Sequence, residues 1–385
     1  MLTRLKIKNL KEAAERIKKA VQEKERIILY GDSDLDGIAS TVILKEAITS
    51  AGGQVFDAMF PDRENDGYGI NMKALDFLKN FPPALFITLD LGIGNVKEII
   101  LANQIGFEVL VLDHHEPLDV LPSASIIVDP KQEGDDSGFT YLANVGLTFK
   151  LAKEILGEGL SQNTENSFLE LAALATISDM VPQVEENKMF IEHGLRSLKN
   201  TFRPGLKAFL EILGEGEVAA GGYMKIISSL NAAESVDFHN ESYGLLTESS
   251  PEKCLEMAQS LIGKTQFKQQ MIKSVCQEVE RRVAENPDSP IIFEGDPAWR
   301  LVLAGAVASI IAQKYEKPTF IYKKMDMESC GSVRSLKEDQ NSVEAMKSCQ
   351  DLLMTYGGHA KASGFRVKNE NLEKFKTCLV EYFKK

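Results

Sequence analysis

The sequence has no apolar run approaching the roughly 18 to 20 residues that a membrane-crossing helix requires. Its start, from Met1 to Lys19, alternates charged with apolar residues instead of building a signal-peptide core. No membrane association is expected, and the chain reads as soluble and cytoplasmic. Cysteine is scarce: Cys254, Cys276, Cys330, Cys349 and Cys378 are all there are, an odd number without a Cys-x-x-Cys pair. That pattern fits neither a disulfide framework nor a zinc site, so five reduced core thiols are expected. Positive charge is also in short supply. With 44 Lys and Arg against 56 Asp and Glu the net charge is −12, which argues against a non-specific nucleic-acid coat. The imbalance is local, since residues 286–385 carry 15 basic and 13 acidic side chains and residues 1–285 carry 29 and 43. A polyanion surface is therefore expected toward the C-terminal part, while carboxylates of the acidic part need some other use. Repeats and low-complexity tracts are absent as well, and a 44% hydrophobic content is ample for more than one core.

From residue 10 to 180, short β-branched runs alternate with amphipathic stretches, the pattern of a parallel α/β sheet. Strands are predicted at Arg26–Tyr30, Gln54–Phe60, Ala84–Leu89, Glu108–Leu112 and Ser125–Val128. Between and after them, helices are predicted from the face Leu10, Ala14, Ile17 and Val21, and at Ile38–Ile48, Met72–Leu78, Val96–Gln104, Val145–Leu156 and Phe168–Ile177. Residues 250–285 read as one long helix with Pro251 in its first turn, stopped by the Glu-Asn-Pro-Asp-Ser-Pro punctuation of residues 285–290. Beyond it, strands at Pro290–Phe293, Trp299–Leu303, Thr319–Tyr322 and Gly364–Val367 accompany helices near Val307–Lys314, Ser342–Leu353 and Leu372–Phe383. The predicted organisation is a parallel-sheet α/β domain over residues 1–215, a connecting region with the long helix over 216–285, and a smaller α/β domain over 286–385.

Four element ends concentrate chemistry. The first strand runs into Gly31-Asp32-Ser33-Asp34-Leu35-Asp36-Gly37, three carboxylates at alternate positions before a helix. Alone, this reads equally as an Asp-capped turn or as a cation site, because carboxylates so close repel one another without a counter-ion. Asp90 follows the run Phe86–Leu89, and Asp113-His114-His115 follows Val109–Leu112. Only five histidines exist, so two adjacent ones at a strand end favour ligation or acid/base work. Asp179 closes an otherwise apolar helix just before Pro182. Together these residues form a carboxylate and imidazole set without thiolate, large enough for two ions and better suited to Mn²⁺ or Mg²⁺ than to structural zinc.

Asp-x-Asp-x-Asp-Gly, the isolated Asp90, Asp113-His114-His115 and Asp179 resemble, in order and spacing, motifs I to IV of the DHH phosphoesterase family. Pro61-Asp62-Arg63 with Gly67-Tyr68-Gly69, Arg203-Pro204-Gly205-Leu206 and Leu230-Asn231-Ala232-Ala233 are similar to stretches of its RecJ-type single-strand exonuclease branch. Gly331-Ser332-Val333-Arg334-Ser335 and the segment from Tyr356 through Gly358 and His359 to Gly364 resemble the DHH-associated substrate domain. Without that resemblance, Gly-Gly-His is only a turn. Three departures stand out. Asp32 occupies a position that is His in many family members, Glu234-Ser235 replaces a Gly-Arg of the branch, and a further OB-type domain is not expected.

The resemblance implies a two-metal phosphodiesterase. Asp90 bridges two ions, Mn²⁺ or alternatively Mg²⁺, with Asp32, Asp34 and Asp179 toward one and Asp36 and His114 toward the other. His115 meets the phosphate or the leaving oxygen. Arg63, Ser332, Arg334, Gly358 and His359 hold substrate, so that a cleft between the domains admits a strand end. The expected substrate is single-stranded DNA or RNA, the alternative being short oligonucleotides or cyclic dinucleotides cleaved by a nano-RNase or nucleotide phosphatase of the same superfamily. A replication or repair protein is the expected partner class. A non-catalytic replication scaffold is the rival of another class, disfavoured because every ligand position is filled.

Overall fold

The computed structural model describes residues 6–214, 221–285, 287–337 and 340–384. Contacts divide the chain into two compact units, one up to Thr265 and one from Gln266 onward. In the first, β1 (Ile27–Gly31), β2 (Val55–Met59), β3 (Ala84–Leu89), β4 (Phe107–Leu112) and β5 (Ile126–Val128) form an all-parallel sheet in the order β2-β1-β3-β4-β5. All residues of β1 and β3 are buried, as the continuous apolar runs require of a sheet covered on both faces. Successive residues serve opposite cores. Ile27, Leu29, Leu85 and Ile87 join one, which also takes residues of α1 (Leu10–Gln22), α2 (Leu35–Ser50), α5 (Asn144–Leu156) and α6 (Gln162–Ser178). Ile28, Tyr30, Phe86 and Val109 join the other with residues of α3 (Met72–Leu78) and α4 (Val96–Gln104). The order reverses at β1, so the carboxyl ends of β1 and β3 flank the crevice where open α/β sheets bind ligands.

The predicted strands and helices of this unit form, most within a residue or two of their predicted ends, with α6 starting six residues earlier than predicted. Additional helices, α7 (Glu185–Leu198), α8 (Pro204–Leu213), α9 (Tyr223–Leu230) and α10 (Glu241–Thr247), follow α6. Arg203, part of a stretch singled out by resemblance, has a local explanation. Its guanidinium is buried and donates to both Glu46 carboxylate oxygens at 2.7 and 2.9 Å, to Leu246 O at 2.9 Å and to Ser167 Oγ at 2.9 Å. Truncation leaves those acceptors without their donor. Arg203→Ala is expected to lower unfolding free energy by about 3 kcal/mol, the low end for a broken buried pair because Glu46 keeps some solvent access. A urea titration at constant m-value measures it.

Helix α11 (Pro251–Glu285) spans the predicted long helix, and its last turns pack Val275, Val279 and Val283 into a core of the second unit. There β8 (Ile292–Asp296), β9 (Thr319–Lys324), β10 (Glu328–Arg334), β11 (Leu353–His359) and β12 (Ala362–Lys368) build a sheet ordered β11-β12-β10-β9-β8, antiparallel except for the β8–β9 pair. Helix α12 (Ala304–Tyr315) packs against Ile321 and Cys330 on one face, and Phe293, Phe320, Phe365 and Phe375 cluster on the other. Three expectations need correction. Trp299–Leu303 is not a strand: Leu301–Leu303 is a 3₁₀ turn leading into α12, and a short buried apolar run does not reveal which of the two it forms. The helix starting at Ser342, α13, stops at Lys347, because Leu353 already begins β11. Finally, Cys349 and Cys378, 29 residues apart, form a disulfide as α14 (Leu372–Phe383) packs beside the end of α13, while Cys254, Cys276 and Cys330 are buried thiols. No helix among the described residues is long and apolar enough to cross a membrane.

Candidate metal centre

The β1–α2 turn places the first carboxylates. Asp34 caps α2, its Oδ1 accepting from the N–H groups of Asp36 (3.1 Å) and Gly37 (3.2 Å). Glycine is required at 37, since a Cβ there would lie 2.4 Å from Asp32 O and 2.6 Å from Asp32 N. Asp36 is fully enclosed and accepts two main-chain N–H groups from the start of α5, Asn144 at 2.7 Å and Val145 at 2.8 Å. Asp90, just past β3, is buried and has φ +65°, a left-handed conformation uncommon for a residue with a side chain. Such strain at a strand end motivates a functional reading.

His114 follows β4 and points its Nε2 among the carboxylates, 3.2 Å from Asp90 Oδ1, 3.7 Å from Asp179 Oδ2 and 3.8 Å from Asp36 Oδ2. Asp113, whose carboxylate lies within 4.8 Å of both Asp90 and His115 ligand atoms, is committed to hydrogen bonds of the turn. It accepts from the N–H groups of Ile93 (2.9 Å) and His114 (2.8 Å) and pairs with His115 Nδ1 at 2.8 Å, fixing the turn and the imidazole. Asp179 sits at the C-terminal end of α6. Asn231 ties this end to the α2 turn, donating to Ser178 Oγ at 2.7 Å and accepting from the Leu35 N–H at 3.0 Å. The sequence marked Asn231 only as part of a family-like stretch; here it braces the two elements that carry Asp36 and Asp179.

Electrostatics register the crowding. Burial, then Asp179 and Asp34, push the Asp36 carboxyl well above the ordinary carboxylate range. Burial, then Asp36, Asp34 and Asp32, do the same to Asp90. Burial and the Asp34 charge lift Asp179 to about 7. Asp34 moves the other way: burial raises it, but the Arg63 guanidinium and the Gly37 N–H win. Burial lowers His115, yet its Asp113 partner, with Asp179 and Asp32, lifts it to about 9. Arg63 Nη2 lies 2.5 Å from Asp32 and 2.9 Å from Asp34, and its guanidinium lies 5.0 Å from the Tyr68 ring. Expected to hold substrate, Arg63 here neutralises two of the expected ligands.

Among the described residues, Asp90 Oδ1 and Asp179 Oδ2 are buried with no hydrogen-bond partner, a costly state that a cation relieves. Asp32, Asp34 and Asp90 can bring ligand atoms within 4.8 Å of one another, and so can Asp36, Asp90 and His114. The two sets share Asp90. Oxygen donors with a single imidazole suit Mn²⁺ or Mg²⁺, so the residues present fit the ions implied by the resemblance.

In the second unit, Ser332 and Arg334 share β10 and lie next to Gly305 at the start of α12, where a Cβ would meet Arg334 Nη2 at 3.1 Å and Ser332 Oγ at 3.6 Å. Gly358 adopts φ +120°, and its own added Cβ would lie 2.6 Å from Ala362 O, so the β11 backbone passes close to β12. His359 closes β11 opposite Ala362.

Residues 26–176 match the DHH family, N-terminal domain. The single-stranded-DNA-specific exonuclease RecJ of Bacillus subtilis is 33% identical over 383 residues, covering 97% of this chain but 48% of that protein. Thus the chain spans about half the length of that relative. The crystal structure of RecJ in complex with Mn²⁺ from Thermus thermophilus superposes with a TM-score of 0.82 at 26% identity, covering 100% of this chain and 56% of the other. An exonuclease RecJ bound to manganese gives 0.76 at 28% identity, covering 100% of this chain and 97% of that one. The strand ends that carry Asp32, Asp90 and His114, the shared-carboxylate geometry and these likenesses agree: residues 26–176 match the DHH family, N-terminal domain, and the chain as a whole is similar to the RecJ exonucleases.

Proposed function

We propose that the chain is a metal-dependent phosphodiesterase that hydrolyses single-stranded nucleic acid from an end. The observation that carries this reading is the pair of ligand sets, Asp32, Asp34 and Asp90 on one side and Asp36, Asp90 and His114 on the other, joined through one buried carboxylate. Asp179 borders both sets: it feels Asp34 most among the neighbouring charges and is the leading charge acting on Asp36. Two divalent ions, Mn²⁺ or Mg²⁺, supply Lewis-acid activation of water and neutralise phosphate charge when bound there. The likeness to RecJ proteins that bind Mn²⁺ or Mg²⁺ supports that choice.

The protein's own groups do the rest. Asp36 is held from behind by two main-chain N–H groups, so its oxygens are fixed before any ligand arrives. His115, with its pKa near 9, carries its proton at neutral pH. With Nδ1 committed to Asp113, it can offer Nε2–H to a phosphate oxygen or to the departing alkoxide. Arg63, Ser332, Arg334, Gly358 and His359 are assigned to substrate phosphates, Gly358 through close main-chain approach and the others through charge or hydrogen bonding. Single-stranded DNA is the substrate favoured by the likeness to single-stranded-DNA-specific exonucleases. A cytoplasmic location and a replication or repair partner complete the reading.

The test is a time course on strands labelled at either end, DNA and RNA in parallel with a dinucleotide, in Mn²⁺ and then in EDTA. Progressive shortening from one end in Mn²⁺ alone is expected; cleavage of the dinucleotide only, or equal cleavage in EDTA, overturns the proposal. Arg334→Ala is expected to raise the KM for strands about tenfold, the scale of one charge-assisted hydrogen bond, without changing Mn²⁺ affinity. Steady-state kinetics and a Mn²⁺ titration measure the two quantities separately.

A further inference from the structure

Asn144 is a fully buried amide among the carboxylates, and neither a ligand role nor a substrate role accounts for it. It is the first residue of α5, whose preceding Ala143 provides no side-chain cap. The carboxylate of Asp36, from a different helix, takes the first two N–H groups instead, those of Asn144 and Val145. A helix start leaves such donors without intrahelical partners, so this union satisfies the helix and orients the carboxylate together.

The side chain reaches in another direction. In the orientation that satisfies both ends of its amide, Oδ1 accepts from the Asp90 N–H at 2.9 Å and from the Ser40 hydroxyl at 3.1 Å, while Nδ2 donates to Leu112 O at 3.0 Å. The Asp90 N–H also approaches Leu112 O at 3.0 Å, so amide, strand end and neighbouring strand end close a small ring. This ring lies where the backbone enters the left-handed turn at Asp90. One residue therefore grips the main chain that aims the shared ligand and, through its own N–H, the carboxylate of the second set.

We propose that Asn144 is a positioning residue for the metal centre: it holds the Asp90 main chain in its turn and the Asp36 carboxylate in its orientation, so that both ligand sets converge on Asp90. The assignment rests on the metal-dependent reading above. An amide suits the position because it accepts and donates at once. Aspartate would lose the donor to Leu112 O and add a charge beside Asp36 and Asp90, and an aliphatic side chain would leave the Ser40 hydroxyl facing carbon.

The test compares Mn²⁺ binding to metal-stripped parent, Asn144→Ala, Asn144→Ser and Thr148→Ala, read by paramagnetic resonance of free Mn²⁺, beside thermal melts in EDTA. Thr148 is buried on the same helix and donates to Asn144 O at 3.0 Å, so its loss perturbs α5 without touching the Asp90 ring. Removing a partner that orients a ligand typically weakens metal affinity by about 10- to 100-fold. Asn144→Ala is expected to lose at least about tenfold in affinity, with kcat falling and the KM for strands unchanged, while Thr148→Ala loses stability alone. Mn²⁺ affinity of Asn144→Ala within about twofold of the parent overturns the inference and leaves the metal-dependent reading intact. A parent that binds no Mn²⁺ overturns that reading, and the inference with it. Should the alanine variant fail to fold, the serine variant is measured against the same criteria, since its hydroxyl is too short to rebuild the ring.

Discussion

Asp90→Asn is expected to lower metal-dependent hydrolysis about 10³-fold or more, the scale seen when a member of a concerted catalytic group is removed, and yet to make the metal-free protein more stable. The first half follows from geometry. Asp90 is common to both ligand sets, so its loss removes a shared anion from the centre, whereas Asp32, Asp34 and Asp36 each belong to one set. The second half follows from repulsion. Asp90 is buried, and Asp36, Asp34, Asp32 and Asp179 all press its carboxyl toward the protonated form. A neutral amide of the same shape removes that conflict. Asparagine also enters the left-handed region with little strain, which matters at φ +65°, whereas alanine would mix a backbone penalty with the loss of charge. A gain of about 1–2 kcal/mol is expected, the usual yield of relaxing a strained functional site. Urea titration in EDTA gives the stability, and turnover of a labelled strand in Mn²⁺ gives the activity. Turnover near the parent's would sink the shared-carboxylate assignment, and reduced stability would show that Asp90 is not held at an electrostatic cost.

How much of this was legible in the sequence depended on whether the signal was local. Strands β1, β3 and β4 stand out as continuous apolar runs, and each is followed directly by Asp, at the carboxyl end where such a strand can offer ligands. Hence Asp32, Asp34, Asp36, Asp90, His114 and Asp179 could be nominated before any fold was in hand, and the fold brings them together. Partners distant in sequence were not legible. Arg63 is expected to hold substrate, and only the fold shows it on Asp32 and Asp34; Arg203 is marked only as part of a family-like stretch, and only the fold shows Glu46 and Leu246 around it. Asn144 gives no signal at all, since an asparagine inside Leu142-Ala143-Asn144-Val145 resembles any helix start. The Cys349–Cys378 pairing was missed for the same reason, because a 29-residue spacing says nothing about which surfaces of α13 and α14 meet. Within the second unit, short apolar runs misled most, since Trp299–Leu303 carries no period to separate a turn from a strand.

Acid should stabilise the metal-free protein, the opposite of the usual behaviour of a carboxylate-rich chain. Asp36 is raised well above the ordinary range by burial and the Asp179 and Asp34 charges, Asp90 by burial and the Asp36, Asp34 and Asp32 charges, Asp179 to about 7, and Asp129 to about 8 by burial and the Asp113 charge. For each, the folded state binds its proton more tightly than the unfolded chain. The associated stability is fully present below the unfolded value near 4 and is lost as pH rises through the folded value. His115 acts with the same sign: raised to about 9, it contributes fully below its unfolded value of 6.5 and loses that contribution toward pH 9. Asp34 and Asp113 are depressed, so their stability is lost only as pH falls below about 4, outside the window. Between pH 6 and 9 Asp129, Asp179 and His115 therefore lose what remains of their contributions, and Asp36 and Asp90 act with the same sign. Since each tenfold difference in proton affinity between the folded and unfolded states corresponds to about 1.4 kcal/mol, a combined loss of about 2–4 kcal/mol is expected, after discounting for coupling among the carboxylates. Divalent cations reverse the argument, because they replace those protons as counter-charge and bind best to ionised ligands. Thermal melts at pH 6, 7, 8 and 9 should give midpoints that fall steadily in EDTA and hold level or rise in Mn²⁺. EDTA midpoints that climb with pH would mean that these carboxylates ionise without penalty, and the crowding that defines the centre would have to be abandoned.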